Sequence, residues 1–184
     1  MELKKTKAII TSIFLVLGLF QLSYAGSAPK KLTSDTAIQN AILVHINEYR
    51  KQHGLSPLTM DNRIVKEAKN HSIDMAHHTM PFGHKYFKSR IDRLHDQIKN
   101  SGAGAENVAY NYKDAQDVVK NWVRSPGHRR NIEGNYNLTG IGIARDSKGK
   151  IYFTQIFLKT GNGGYAARRP AFNLFNKSIF RRSA

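Results

Sequence analysis

The apolar pattern of this 184-residue chain changes period once, and that change restricts what the chain can fold into. From Thr36 to Ile132 the apolar residues recur at helical spacing. From Leu138 to Lys159 they read as strands, with Asp146-Ser147-Lys148-Gly149 as a turn between two runs. A lone hairpin is marginal in water, so it needs further strands and a cover of helices. Glu106 to Ala109 is the expected source of another strand. The fold class that follows is α+β, with helices layered on a sheet.

The helical half divides at its caps and breakers. Ser34 or Asp35 N-caps a helix over about Thr36 to His53, with Ile38, Ile42, His45/Ile46 and Tyr49 facing inward and Gly54 stopping it. His45 is expected to be a satisfied core histidine. Leu55-Ser56-Pro57-Leu58 reads as an extended link. Asp61 or Asn62 opens a second helix through about Thr79, burying Ile64, Ala68, Ser72 and Met75. Met80-Pro81-Phe82-Gly83-His84 breaks it, and His77-His78 reads as a solvated helix end. A third helix spans roughly Lys88 to Lys99, and Ser101 to Gly104 reads as a loop. A fourth runs from about Asp114 to Arg124, and Ser125-Pro126 is the favoured pair for starting a short fifth.

The ends differ from the middle. Residues 1–25 have three lysines, an apolar run and Ser23-Tyr24-Ala25, the layout of a secretory signal peptide, with an uncleaved anchor as the alternative. Residues 26–35 read as a flexible leader, 36–160 as one domain, and 161–184 as a basic C-terminal tail. The expected location is extracellular or periplasmic, after cleavage near Ala25. The tail mixes Arg168, Arg169, Lys177, Arg181 and Arg182 with Phe172, Phe175 and Phe180. That is the composition of a membrane-seeking or partner-binding element, or of a tail that is simply disordered or folded back.

The chain has no cysteine, which excludes disulfides, thiol nucleophiles and cysteine-based metal sites. Its net charge of +16 favours anionic partners: lipid head groups, acidic envelope polymers or, without specificity, nucleic acid. No His-Glu-x-x-His, Gly-x-Ser-x-Gly, phosphate-binding loop or dinucleotide fingerprint is present.

Three segments place an imidazole or carboxylate beside tight turns: Phe82-Gly83-His84, Gly104-Ala105-Glu106-Asn107, and Trp122 with Ser125-Pro126-Gly127-His128-Arg129. With Asn47-Glu48-Tyr49-Arg50 before them and Tyr152-Phe153-Thr154-Gln155 after, they stand in the order seen in the CAP superfamily. That superfamily comprises cysteine-rich secretory proteins, antigen 5 and pathogenesis-related proteins, also called SCP domains. The Ser-Pro-Gly-His-Arg segment resembles its bacterial branch. The resemblance covers about residues 37–160. It implies a three-layer α-β-α sandwich around a mainly antiparallel sheet, with a cleft that in some members holds zinc on two His and two Glu.

His84 and Glu106 match that set. Tyr152 stands where the resemblance places the second His, and His128 replaces the second Glu. The resemblance therefore implies a cleft lined by His84, Glu106, Asn107, His128, Arg129 and Gln155, and His84, Glu106 and His128 are the candidate zinc ligands. A hydrogen-bonded cluster without metal is the competing reading of the same three residues. The functions left open are an envelope-binding module for a lipid or glycan, a zinc hydrolase, and charge-driven nucleic-acid binding.

Overall fold

The computed structural model describes residues 34–161, so the expected signal segment, most of the leader and the basic tail lie outside the described residues. Along the chain run α1 (Asp35–Gln52), β1 (Thr59–Met60), α2 (Asn62–Ala76), α3 (Phe87–Gln97), β2 (Ser101–Tyr110), α4 (Ala115–Arg124), α5 (Pro126–Glu133), β3 (Leu138–Arg145) and β4 (Ile151–Thr160). The four strands form one sheet in the order β1-β3-β4-β2. β3 and β4 form the expected hairpin, β2 pairs antiparallel to β4, and the two-residue β1 adds a short parallel edge to β3. The sheet is mixed, and mainly antiparallel.

Alternation along the strands sorts the core into two layers. Ala105, Ala109, Ile141, Ile143, Phe153 and Phe157 pack with Ile38, Ile42 and Ile46 of α1 and with Val118, Val119 and Trp122 of α4. The residues between them point to the other face, where Ile156 and Leu158 meet Ile64 and Ala68 of α2 and Ile91 and Leu94 of α3. Val108, Ala144 and Tyr152 pack on the same side against Met75 and Ala76. The arrangement is the α-β-α sandwich that the resemblance implies.

α2 lies unusually close to the sheet. A Cβ placed on Gly142 would sit 2.1 Å from the backbone carbon of Ala68, so no other residue fits between helix and strand there. Ser72 of α2 reinforces the contact, its hydroxyl lying 3.1 Å from the Gly142 carbonyl, to which it can donate, and sharing a hydrogen bond with the Thr154 hydroxyl at 2.8 Å.

Several boundaries depart from expectation. Ser101 to Gly104 is the bulged start of β2, with Ser101 paired to Thr160. α2 stops at Ala76, and α3 stops at Gln97. Asp35 belongs to α1, which Ser34 caps through its hydroxyl. His45 is not a core histidine: it is about 100° round the helix from Ile46, it is partly exposed, and its Nδ1 meets Glu48 at 3.2 Å. His77 and His78 are exposed, as a solvated helix end should be.

The Asn47-Glu48-Tyr49-Arg50 segment is a clamp. Asn47 exchanges two hydrogen bonds with the Leu58 backbone. The buried Arg50 guanidinium donates to the carbonyls of Ser56, Ile132, Gly134 and Tyr136, tying the end of α1 to the end of α5. Substituting Gly142→Ala forces backbone apart rather than a flexible side chain. It should cost about 3 kcal/mol or more, the upper end of overpacking penalties, measured by urea denaturation.

Candidate functional site

A carboxylate on the edge strand organises the site. Glu106 lies on the α2 side of β2, and its side chain is 1 % exposed. A buried carboxylate needs a partner, and α3 supplies one. Arg90, itself buried, donates from Nε to Oε2 and from Nη2 to Oε1, each at 2.8 Å. Its Nη1 donates to the Lys85 carbonyl, which fixes the start of α3. Burial would push the Glu106 carboxyl up, but the hydrogen bonds from His84 and Arg90 and the Arg90 charge override it and hold it below its ordinary range.

His84, from the α2–α3 connection, meets the same carboxylate: Nδ1 lies 2.9 Å from Oε1, while half of the side chain remains in solvent. Because Glu106 is ionised, Nδ1 carries the shared proton, and in the neutral ring Nε2 is left as the acceptor. The preceding Gly83 has φ 136°, a conformation that favours glycine. Its carbonyl accepts from Nε2 of the buried His71, at 2.8 Å, so α2 pins the loop that carries His84. The same His71 nitrogen is 3.8 Å from Glu106. Burial pushes the His71 imidazole pKa down, which keeps it neutral.

His128 arrives from α5. Asn107, fully buried, donates to the His128 carbonyl at 3.2 Å and accepts from Asn131 at 2.8 Å, while Asn131 also donates to the Glu106 carbonyl. These bonds fasten α5 to β2. The His128 ring packs 6.4 Å from that of Trp122. Its pKa is lowered by burial and then by the charge of His84.

Gln155 and Arg129 lie away from the Glu106 carboxylate. Gln155 is fully buried on β4, and its Nε2 reaches the Thr139 hydroxyl at 3.2 Å, on the α1/α4 side of the sheet. Arg129 is on the surface of α5, 3.9 Å from Glu133. Tyr152 pairs in register with Tyr110, whereas Ile156 stands opposite Glu106. Four residues of strand, about 13 Å, therefore separate Tyr152 from the carboxylate's rung. Tyr152 stacks on Tyr110 at 5.5 Å, and Tyr110 meets Phe82 at 5.3 Å. Phe82 and Tyr110 are exposed, and they form an aromatic rim along from His84.

His84, Glu106 and His128 do not fit a zinc ion. Both Glu106 oxygens are engaged by a guanidinium, which a cation would have to displace, and the carboxylate's lone pairs serve Arg90 and His84 instead. Among the described residues no three His, Asp or Glu gather as a metal-binding group. The residues that sequence reasoning missed are His71 and Arg90. His71 could have been found, because it continues the inward stripe of Ile64, Ala68 and Met75 at helical spacing. Arg90 carries no local signal at all.

Removing Arg90 leaves a buried charge unmatched. Arg90→Met should cost about 3–5 kcal/mol, and the double variant Arg90→Met/Glu106→Leu should recover much of it, read by urea denaturation. Acid should act in two windows. His71 and His128 have folded pKa values below the ordinary 6.5, so unfolded chain takes up protons first and stability falls as pH drops below about 6.5. Glu106, depressed from 4.5, adds a second loss below about pH 4.5. His71→Gln should shrink the first window to the His128 share and leave the second largely in place.

The model of the "Cysteine-rich secretory protein family" (CAP) matches residues 43–157, more than half of the chain. An uncharacterized membrane protein of Bacillus subtilis, YlbC, is 32% identical over 86% of this chain and 47% of its own length. The chain spans about half the length of the curated relatives it matches. Among solved structures, an outer surface protein of Borrelia burgdorferi superposes with a TM-score of 0.62 at 21% identity, covering 70% of this chain and 97% of that one. An extracellular SCP-domain protein of Bacillus anthracis gives 0.55 at 26% identity, covering 73% and 45%. Fold, motif order and family model agree: the chain belongs to the CAP, or cysteine-rich secretory protein, family.

Proposed function

We propose that this protein is an exported, non-enzymatic binding module that recognises an anionic component of the cell envelope through the rim formed by His84, His128, Phe82 and Tyr110. The observation that carries the reading is the bidentate Arg90–Glu106 pair. It commits the carboxylate to holding His84, so that Nε2 and one ring edge are offered to a ligand. Neither a metal-bound water nor a free carboxylate base is supplied by that geometry. The net charge of +16, of which residues 1–25 contribute only three Lys and one Glu, favours an anionic partner, and the aromatic rim offers apolar contact. Export is supported by the outer-surface and extracellular proteins of the same fold and by the layout of residues 1–25.

Two other readings are weaker. A zinc hydrolase on His84, Glu106 and His128 would need Arg90 to leave the carboxylate. Binding of nucleic acid rests on charge alone.

Co-sedimentation with phosphatidylglycerol vesicles and, separately, affinity for a soluble glycerol-phosphate polymer test the proposal. Replacing both imidazoles (His84→Ala/His128→Ala) should weaken binding to at least one of the two by about tenfold at fixed salt. Binding unaffected by the double variant, and abolished by salt alone, would mark it as non-specific charge and sink the reading. Persistence after deletion of residues 161–184 would place the binding in the domain rather than the tail.

A further inference from the structure

A concavity adjoins the Glu106 site and shares Arg90 and His71 with it. It measures about 300 Å³, lies between α2 and α3, and is lined by His71, Arg90, Glu67, Arg93, Asp74 and Tyr86 among others. That volume is at the lower end of small-molecule sites, and the walls mix charged side chains with slightly more apolar than polar surface, Met80 and Tyr86 included. Its charges are largely matched already. Arg93 makes a bidentate pair with Glu67 at 3.0 and 2.7 Å, and Arg90 is committed to Glu106. A strongly charged ligand therefore gains little there. What remains is hydrogen-bonding capacity: a second proton on each terminal nitrogen of Arg90, and lone pairs on Asp74, which takes only the Thr79 hydroxyl at 3.3 Å. Groups that donate and accept at once, as hydroxyls do, match such a wall.

Tyr86 supplies an independent observation. It stands at the N-cap of α3 with φ 60°, a left-handed conformation unfavourable for a bulky residue, and gives the helix no side-chain cap. Asn or Gly would suit the backbone better, and Asn could also cap. The ring is 59 % exposed, with Lys85 Nζ 5.0 Å from its centroid, so its own burial does not explain its presence. Local strain kept in a residue that lines the pocket points to a use for the ring.

We propose that the α2–α3 pocket is a binding site for a single neutral sugar ring, with Tyr86 as its apolar wall and Arg90, Asp74 and the Arg93–Glu67 pair hydrogen-bonding the hydroxyls. The site shares Arg90 and His71 with the surroundings of Glu106 but none of the rim residues His84, His128, Phe82 and Tyr110, and it stands whether or not that rim binds an anion.

The test is a titration of the full-length, ¹⁵N-labelled protein with glucose and, separately, N-acetylglucosamine, followed by amide shifts, with inorganic phosphate as the charged control. At least one sugar should give saturable shifts at Asn70, His71, Tyr86 and Ser89, with a dissociation constant of about 1 mM. Tyr86→Asn should melt no lower than the parent, because it relieves strain, and yet bind about fivefold more weakly or worse. Asp74→Asn should also weaken binding. Three results would overturn the proposal: no saturable shift at tens of millimolar sugar, shifts confined to His84, Tyr110 and His128, or stronger shifts of the pocket residues with phosphate than with either sugar. Tyr86→Asn binding as tightly as the parent would overturn the role of the ring.

Discussion

A carboxylate buried on the edge strand of a sheet has to be matched by charge, and much of this molecule's α2–α3 half follows from that demand at Glu106. The match comes from Arg90, whose side chain also reaches the Lys85 carbonyl and so fixes where α3 begins. Once α3 is set, the connection from α2 must pass over the edge of β2. His71 holds it there through the Gly83 carbonyl, and His84 closes on the carboxylate from the solvent side. The paired charges cannot be counted as a large net source of stability, since desolvation offsets much of their attraction. Their contribution is geometric: they select one path for a loop that apolar packing alone leaves underdetermined.

Much of the fold was legible in the sequence because it rests on periodicity and on caps. Ser34 and Asp61, both candidate caps, each cap the helix they precede, Asp114 caps the helix it was expected to begin, and the alternation from Leu138 onward is the hairpin. β1 was not legible, because two residues carry no period. Ser101 to Gly104 resembles a loop in composition and becomes strand only through pairing with the end of β4, an interaction between distant segments. The site was legible in part for the same reason. His84, Glu106 and His128 stand beside turns and draw notice, whereas Arg90 looks like one more basic residue on an exposed helix. Gln155 and Arg129 were drawn in by motif order; strand parity puts the first on the far face, and helical position puts the second in solvent.

Membership of the CAP family gives this chain a scaffold and leaves its chemistry to be decided by individual positions. The imidazole that the family resemblance places on the last strand is here Tyr152, and that ring has joined Tyr110 and His78 rather than the carboxylate. The exchange turns one end of the cleft from polar to aromatic.

The contact at Gly142 has a consequence for how such a protein can change over time. Helix α2 and strand β3 touch backbone to backbone, with no side chain between them to be resized. Compensating substitutions, which ordinarily let a packed interface drift, have nothing to act on there. The α2–α3 connection is different: it hangs from a few polar bonds and exposes Phe82 and Tyr86. Apart from Gly83 and His84, which the buried pair holds in place, residues of that connection can vary without disturbing the plate beneath it. New ligand preferences would then be expected to arise at exposed positions of that connection such as Phe82 and Tyr86, while the helix and strand that frame it stay as they are.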